Sequence, residues 1–285
     1  MSSPLDPVQN RLLAELELAE FHRLFPHLEL VKLVRKDVLY QAGGKMFYVY
    51  FPTSATISID YVLENGGTSE IASIGNEGML GISLFMGGLN AHSRAVVQLD
   101  GYAFRLSAQR LMDEFYHKGP LLRLLLRYAQ ARLTMVSQLA VCNSHHTTEQ
   151  RLCRWLLQTL DRSLSSELPI TQEAIGAILG VRREGITEAT GRLQMAGVVK
   201  WRRGHVNVLS REGLNERVCE CYEVVCSATT RLATKLGPEF ALGKPPWRER
   251  NLLVSRRAVG TDRRKHDSAA DDAVEESQLE ELHRE

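Results

Sequence analysis

The sequence predicts an α+β fold in three parts: an antiparallel β-sandwich or barrel, a long apolar helix, and a winged helix-turn-helix. Three observations carry this. Between about residues 30 and 106, short apolar runs alternate with turn residues. From about 107 the pattern becomes helical and stays so. Residues 170–193, followed by 198–208, read as two crossing helices and a basic hairpin. At roughly 100–200 residues per domain, a chain of 285 residues holds about two domains.

Taken in order, residues 8–26 read as one helix, with Leu12, Leu13, Leu16, Ala19 and Leu24 at three- and four-residue spacing and Pro26 ending the run. Runs at 38–40, 48–51, 56–61, 70–74 and 94–98 read as strands. They are separated by Ala42-Gly43-Gly44, Pro52-Thr53-Ser54, Asn65-Gly66-Gly67, Gly75-Asn76-Glu77-Gly78 and Gly87-Gly88. The strand 55–63, the turn Asn65-Gly66 and the strand 69–74 predict a hairpin. A short helix covers 108–116. Pro120 then opens a longer one to about Cys142, with Leu122, Leu125 or Leu126, Ala129, Leu133 and Val136 along a stripe. That stripe packs on its own domain or pairs with a second copy, and periodicity alone leaves both open. A helix at 149–161, a loop at 163–166 and a last helix at 212–235 complete the pattern.

The most informative stretch begins at Thr171, a natural N-cap. Gly176 lets two helices cross closely, Gly180 can end a helix in the left-handed conformation, and Val181 tucks under the turn. Ile186 and Leu193 face inward on the second helix. Arg182, Arg183, Glu184, Thr187 and Glu188 are left on its outer N-terminal surface. This is the layout of a recognition helix entering a major groove, where Arg suits a guanine edge and Glu a cytosine amino group. The wing after it places Lys200, Arg202, Arg203 and His205 where a phosphate backbone would lie. Between 168 and 212 there are seven Lys and Arg against four Asp and Glu, so this segment is basic although the whole chain is only +1.

The order of β-rich region, long apolar helix and winged helix-turn-helix over about residues 10–232 resembles the Crp/Fnr superfamily of bacterial transcription regulators. The most specific match runs over 170–192, where the Thr, the Ile-Gly, the second Gly and the Arg-Glu pair fall in register. The resemblance implies a cyclic-nucleotide-binding-type β-roll, jelly-roll-like, within 1–117. It implies a dimerisation helix and hinge at 118–144, through Leu122, Leu126, Ala129, Leu133 and Val136. A DNA-binding domain follows at 145–236, then a disordered charged tail at 237–285. It implies that Arg183 and Glu184 read base edges and that Thr171 and Gln172 join the DNA contacts. Glu188 stands where the family often has an Arg, so the preferred site should differ. The partners it implies are double-stranded DNA, a second copy of the chain and RNA polymerase.

In family members that bind cyclic nucleotide, Gly-Glu holds the ribose and a following Arg-Ser/Thr-Ala holds the phosphate. Here Gly81 is followed by Ile82, and Ser93 precedes Arg94. Gly81, Ser93 and Arg94 are therefore the candidate effector residues, with an effector other than cyclic AMP, or none; the cofactor is unknown.

No metal site is expected. If Cys219, Cys221 and Cys226 share a helix, 221 points away from the other two, and His145-His146 read as capping or polar packing. His22, His27 and His92 lack ligand spacing, which weighs against a cupin-like metal enzyme. Phosphate-loop, dinucleotide-binding, His-Glu-x-x-His and Gly-x-Ser-x-Gly signatures are absent, so the chain does not read as an enzyme. A signalling module whose winged helix binds protein is the other alternative. Five scattered cysteines and no apolar run of membrane-spanning length predict a cytoplasmic protein that does not enter membranes. Eight Lys and Arg against two acids at 244–265, then eight acids against one Arg at 267–285, predict a tail of opposed halves.

Overall fold

The computed structural model describes residues 5–230 apart from 63, 65–67, 89, 164 and 203. The hairpin turn at Asn65-Gly66, Arg203 in the wing and the charged tail at 237–285 lie outside the described residues.

Helices α1 (Arg11–Ala14) and α2 (Leu18–Leu24) precede seven strands: β1 (Glu29–Leu33), β2 (Val38–Tyr40), β3 (Tyr48–Pro52), β4 (Thr56–Val62), β5 (Thr68–Ile74), β6 (Arg94–Leu99) and β7 (Gly101–Ser107). They form two antiparallel sheets, ordered β1-β7-β3 and β2-β6-β4-β5. Strand alternation sends Val49 and Phe51, Ala103, Ile57 and Ile74, and Ala95 and Val97 into the space between them. The expected hairpin is present as the antiparallel pair β4–β5, from Ile57 opposite Ile74 to Val62 opposite Thr68. Strands β1 and β7 are additions to the expected set; in β1, Leu30, Val31 and Lys32 alternate only weakly.

The helix expected over 8–26 is two helices. Fully buried Asn10 sets the first: its Oδ1 accepts the N–H groups of Leu12 and Leu13, and its Nδ2 donates to the carbonyls of Pro52 (2.9 Å) and Gly78 (2.7 Å). Periodicity does not register a side chain that leaves the helix to hold two distant loops.

Helix α3 (Ala108–Tyr116) leads to α4 (Pro120–His145). The first turn of α4 is closed from α2, where the buried Glu20 carboxylate accepts the Leu121 N–H at 2.9 Å. Leu121, Leu124, Leu125, Tyr128, Ala129 and Ala131 then join the β-roll core. Leu126, Leu133 and Val136 stay exposed.

A second core belongs to α5 (Thr148–Leu160), β8 (Glu167–Leu168), α6 (Gln172–Leu179), α7 (Arg183–Met195), β9 (Val199–Arg202), β10 (His205–Val208) and α8 (Arg211–Asn215). Leu152, Leu156, Ile175, Ile186, Leu193, Val206 and Leu214 fill it. Thr147 opens α5 with a reciprocal capping box to Gln150. The wing sheet has the order β8-β10-β9; its third strand falls just after the expected loop. The last helix is also divided. A turn after α8 carries Val218 and Cys219 inward before α9 (Cys221–Thr230) begins, and α9 packs on α4.

The two cores are joined by a buried ion pair, Arg162 Nε to Glu77 Oε1 at 3.0 Å, and α6 lies against β5. On β5, Glu70 accepts from Ser58 Oγ and Gln98 Nε2, both at 2.8 Å. Burial pushes Glu70 up to about 7; Asp60 adds to the rise, while Arg162 and the two hydrogen bonds oppose it. The folded chain thus holds a proton that the unfolded chain releases near pH 4.5.

Stability from this proton is fully present below about pH 4.5 and is lost as pH rises through about 7. Glu70→Gln should flatten that fall by about 1–3 kcal/mol, read from urea unfolding across this pH range. Asn10→Ala removes a cap and leaves two buried carbonyls unpaired, so it should cost about 2–4 kcal/mol in urea unfolding at neutral pH.

Candidate nucleic-acid interface

Helix α6 starts at Thr171, whose Oγ1 accepts the Ala174 N–H at 3.1 Å, and stops at Gly180, which has φ +62°. Gly176 faces the following turn so closely that a Cβ there would stand 3.2 Å from the Val181 carbonyl. This crossing seats Ile186, Ala189 and Leu193 of α7 in the core and turns the other face outward. Arg182, Arg183, Glu184, Thr187 and Glu188 lie on that outward side. Among the described residues Arg182, Arg183 and Glu184 make no ion pair. Glu188 does: it receives Arg192 Nη1 at 2.6 Å, and Arg192 Nε also reaches Glu149 of α5 at 2.5 Å.

Thr187 Oγ1 donates to Gln172 Oε1 at 3.2 Å, which ties the two helices at their exposed ends. Across from them Lys200, Arg202 and His205 are exposed on the wing. Lys200 and Arg202 are without an ion-pair partner among the described residues, whereas His205 Nδ1 lies 3.7 Å from Glu167. Between helix and wing runs a cleft lined by Thr171, Gln172, Arg183, Trp201, Arg202 and Gln194. Gln194 Oε1 accepts the Trp201 N–H at 2.7 Å and so fixes the wing against α7. Sequence reasoning misses Gln194 and Trp201 as site residues, because neither lies in the stretch that marks the helix-turn-helix. The surface has guanidinium and ammonium groups without ion-pair partners among the described residues on two elements flanking a groove, with a helix N-terminus that no side chain caps beside them. That is a surface for an anionic backbone with directional donors at its centre.

The expected effector residues divide. Gly81 and Ser93 line a cavity of about 270 Å³ under the β-roll and α4. Gly81 has φ +113°, and a Cβ there would stand 2.7 Å from Val49 Cγ1. Arg94 is not part of the lining. On β6 its neighbours Ala95 and Val97 point inward, which turns Arg94 to the other side of the sheet. The cavity is walled mainly by apolar groups, among them Met46, Ile59, Ile74, Met79 and Leu133, with Arg132, His92, Tyr40 and Tyr128 as its charged or titratable members.

Of the expected dimerisation residues, Leu126, Leu133 and Val136 lie on the exposed face of α4. Leu122 is half-buried. Ala129 is buried in the β-roll core of its own chain, a correction that follows from the phase of the helix.

The cysteine geometry also differs from expectation. Cys219 precedes α9 and does not share its face with Cys226; Cys226 lies beside Asp161, while Cys219 and Cys221 turn toward Cys142 and His146 at the end of α4.

The described chain thus joins a β-roll, a long connecting helix and a winged helix-turn-helix. Residues 150–217 match the Crp-like helix-turn-helix domain, and the fold is that of the Crp/Fnr transcription regulators. A regulator assigned to the Crp/Fnr family from Eubacterium rectale has 18% identity and a TM-score of 0.57, over 73% of this chain and 98% of that one. FixK2 from Bradyrhizobium japonicum has 15% identity and a TM-score of 0.57, over 67% and 98%. A Crp/Fnr-family regulator from Thermus thermophilus has 21% identity and a TM-score of 0.55, over 66% and 97%. No curated protein matches the chain in sequence. Among the described residues no helix is long and apolar enough to cross a membrane.

Proposed function

We propose that this chain is a cytoplasmic, sequence-specific DNA-binding transcription regulator that works as a homodimer on palindromic sites. The observation that carries the reading is the outward row Arg182, Arg183 and Glu184 at the start of α7, without ion-pair partners among the described residues, beside free Lys200 and Arg202 on the wing. Arg183 and Glu184 read base edges, while Thr171, Gln172, Lys200, Arg202 and Arg203 hold phosphates. Glu188 serves mainly to position the helix through Arg192. Leu126, Leu133 and Val136 pair α4 with its copy, spaced so that two recognition helices enter successive major grooves. RNA polymerase is the expected protein partner.

The effector, if there is one, is a small apolar molecule and not a cyclic nucleotide. Support for this comes from the apolar lining of the cavity, which has no carboxylate for a ribose and lacks Arg94.

In selection from random DNA, Arg183→Ala should lose about 1–3 kcal/mol of specific binding and relax one position of each half-site. Arg202→Ala should weaken all sequences alike and lower the salt dependence. An unchanged preferred site in Arg183→Ala would overturn the readout, and an absence of any sequence preference in the wild type would favour a protein-binding winged helix. Leu133→Glu should convert the dimer to monomer in sedimentation, with loss of palindrome binding and little loss of fold, because this side chain is 56% exposed in the single chain.

A further inference from the structure

We infer that Cys142, His146, Cys219 and Cys221 form a tetrahedral site for one thiophilic divalent ion, zinc, at the junction of α4 with the segment entering α9. This inference does not depend on the DNA-binding reading.

The ligand atoms of the four residues all lie within 4.8 Å of one another. Cys142 Sγ is 3.6 Å from Cys219 Sγ, and Cys221 Sγ is 3.4 Å from His146 Nδ1. Around a tetrahedral zinc, bonds of about 2.3 Å to sulfur and about 2.0 Å to nitrogen place sulfur atoms about 3.8 Å apart and sulfur and nitrogen about 3.5 Å apart. The two measured separations therefore already match one shared ion. An iron–sulfur cluster spreads four protein ligands over two irons or four, with sulfides between the irons, so ligands on different irons stand further apart than the members of this quartet. Three cysteines and one histidine are a closed donor set of the structural kind, with no position left for water.

Two further observations point to a ligand. The other nitrogen of His146, Nε2, lies 3.2 Å from Glu220 Oε1. A carboxylate on the far nitrogen is the usual partner of a metal-bound imidazole, and it leaves Nδ1 as the donor toward the ion. Beside Cys142 are Arg151 and Arg154, both more than nine-tenths buried, neither with a carboxylate partner among the described residues. Arg151 donates to the Leu179 carbonyl and Arg154 to Gln158 Oε1, yet the Nε of each has no partner. Two uncompensated buried cations are costly. Zinc held by three thiolates and a neutral imidazole carries one net negative charge, so the filled site offsets one of the two positive charges beside it.

The separation in sequence explains how the site escapes a motif search. Cys142 and His146 are one helical turn apart at the end of α4, whereas Cys219 and Cys221 come 77 and 79 residues after Cys142. The ion would clamp the hinge end of α4 to the last helix of the winged domain.

The test uses the untagged full chain purified under reducing conditions without chelator. Elemental analysis should find one zinc per chain, lost in Cys142→Ser and Cys221→Ser and kept in Cys153→Ser and Cys226→Ser. Should the first two variants fail to fold, cobalt decides on the wild type. The metal-stripped protein should give the intense visible bands and thiolate charge-transfer absorption of four-coordinate cobalt, both erased by added zinc. Glu220→Gln, a positioning change, should weaken zinc about 10- to 100-fold in competition with a chelating dye. Zinc far below one per chain together with a weak six-coordinate cobalt spectrum would overturn the inference. So would a Cys142–Cys219 disulfide in the reduced preparation, or a sulfide-containing iron cluster.

Discussion

The position of α4 depends on one contact. Tyr128 is among the most deeply buried side chains, and its hydroxyl both donates to the Met79 carbonyl at 2.8 Å and accepts the Met79 N–H at 3.0 Å. Gly78 makes room for it, since a Cβ there would stand 2.6 Å from the hydroxyl. Each residue along a helix turns it by about 100°. Pinning Tyr128 therefore fixes which residues of α4 enter the β-roll and which face away. Leu124, Leu125 and Ala131 go inward with it, Leu126 goes outward, and Leu133 and Val136 line the cavity while staying about half exposed. The same phase brings Arg132 to the Ser73 carbonyl at 3.2 Å and delivers Cys142 to the winged domain.

Ion pairs set where the winged domain and its helices sit. Arg162 on Glu77 sets its place against the β-roll, and the Glu77 carboxylate also receives the Gly75 N–H. Arg192 bridges Glu149 and Glu188, and so braces α7 on α5. Buried pairs of the Arg162–Glu77 kind add little net stability over apolar contacts, but removing one partner is strongly destabilising because it strands the other charge.

What was legible in the sequence was local. Thr171, Gly176, Gly180 and the Arg182–Glu184 row sit within one supersecondary unit, and each has a meaning at its own position. Strand β4, where Ile57, Ile59 and Tyr61 alternate in sequence with Thr56, Ser58 and Asp60, was legible for the same reason. What was not legible depended on partners far along the chain. Asn10 splits the first helix because it serves Pro52 and Gly78. The Cys219 turn divides the last helix because it packs against the end of α4. Ala129 read as a seam residue because heptad spacing cannot distinguish two faces of a helix that are both apolar. Arg94 read as an effector ligand from its neighbours in sequence, while strand alternation turned it away.

Glu20 shows how chain order enters the fold. Its carboxylate accepts the Leu121 N–H across 101 residues of sequence. During synthesis the N-terminal helices leave the ribosome first, so this acceptor exists well before the helix it closes has been made. The longest of the described helices thus begins against a partner made earlier in the chain. Proteolytic removal of the first twenty-odd residues would take away the support of an element that starts a hundred residues later.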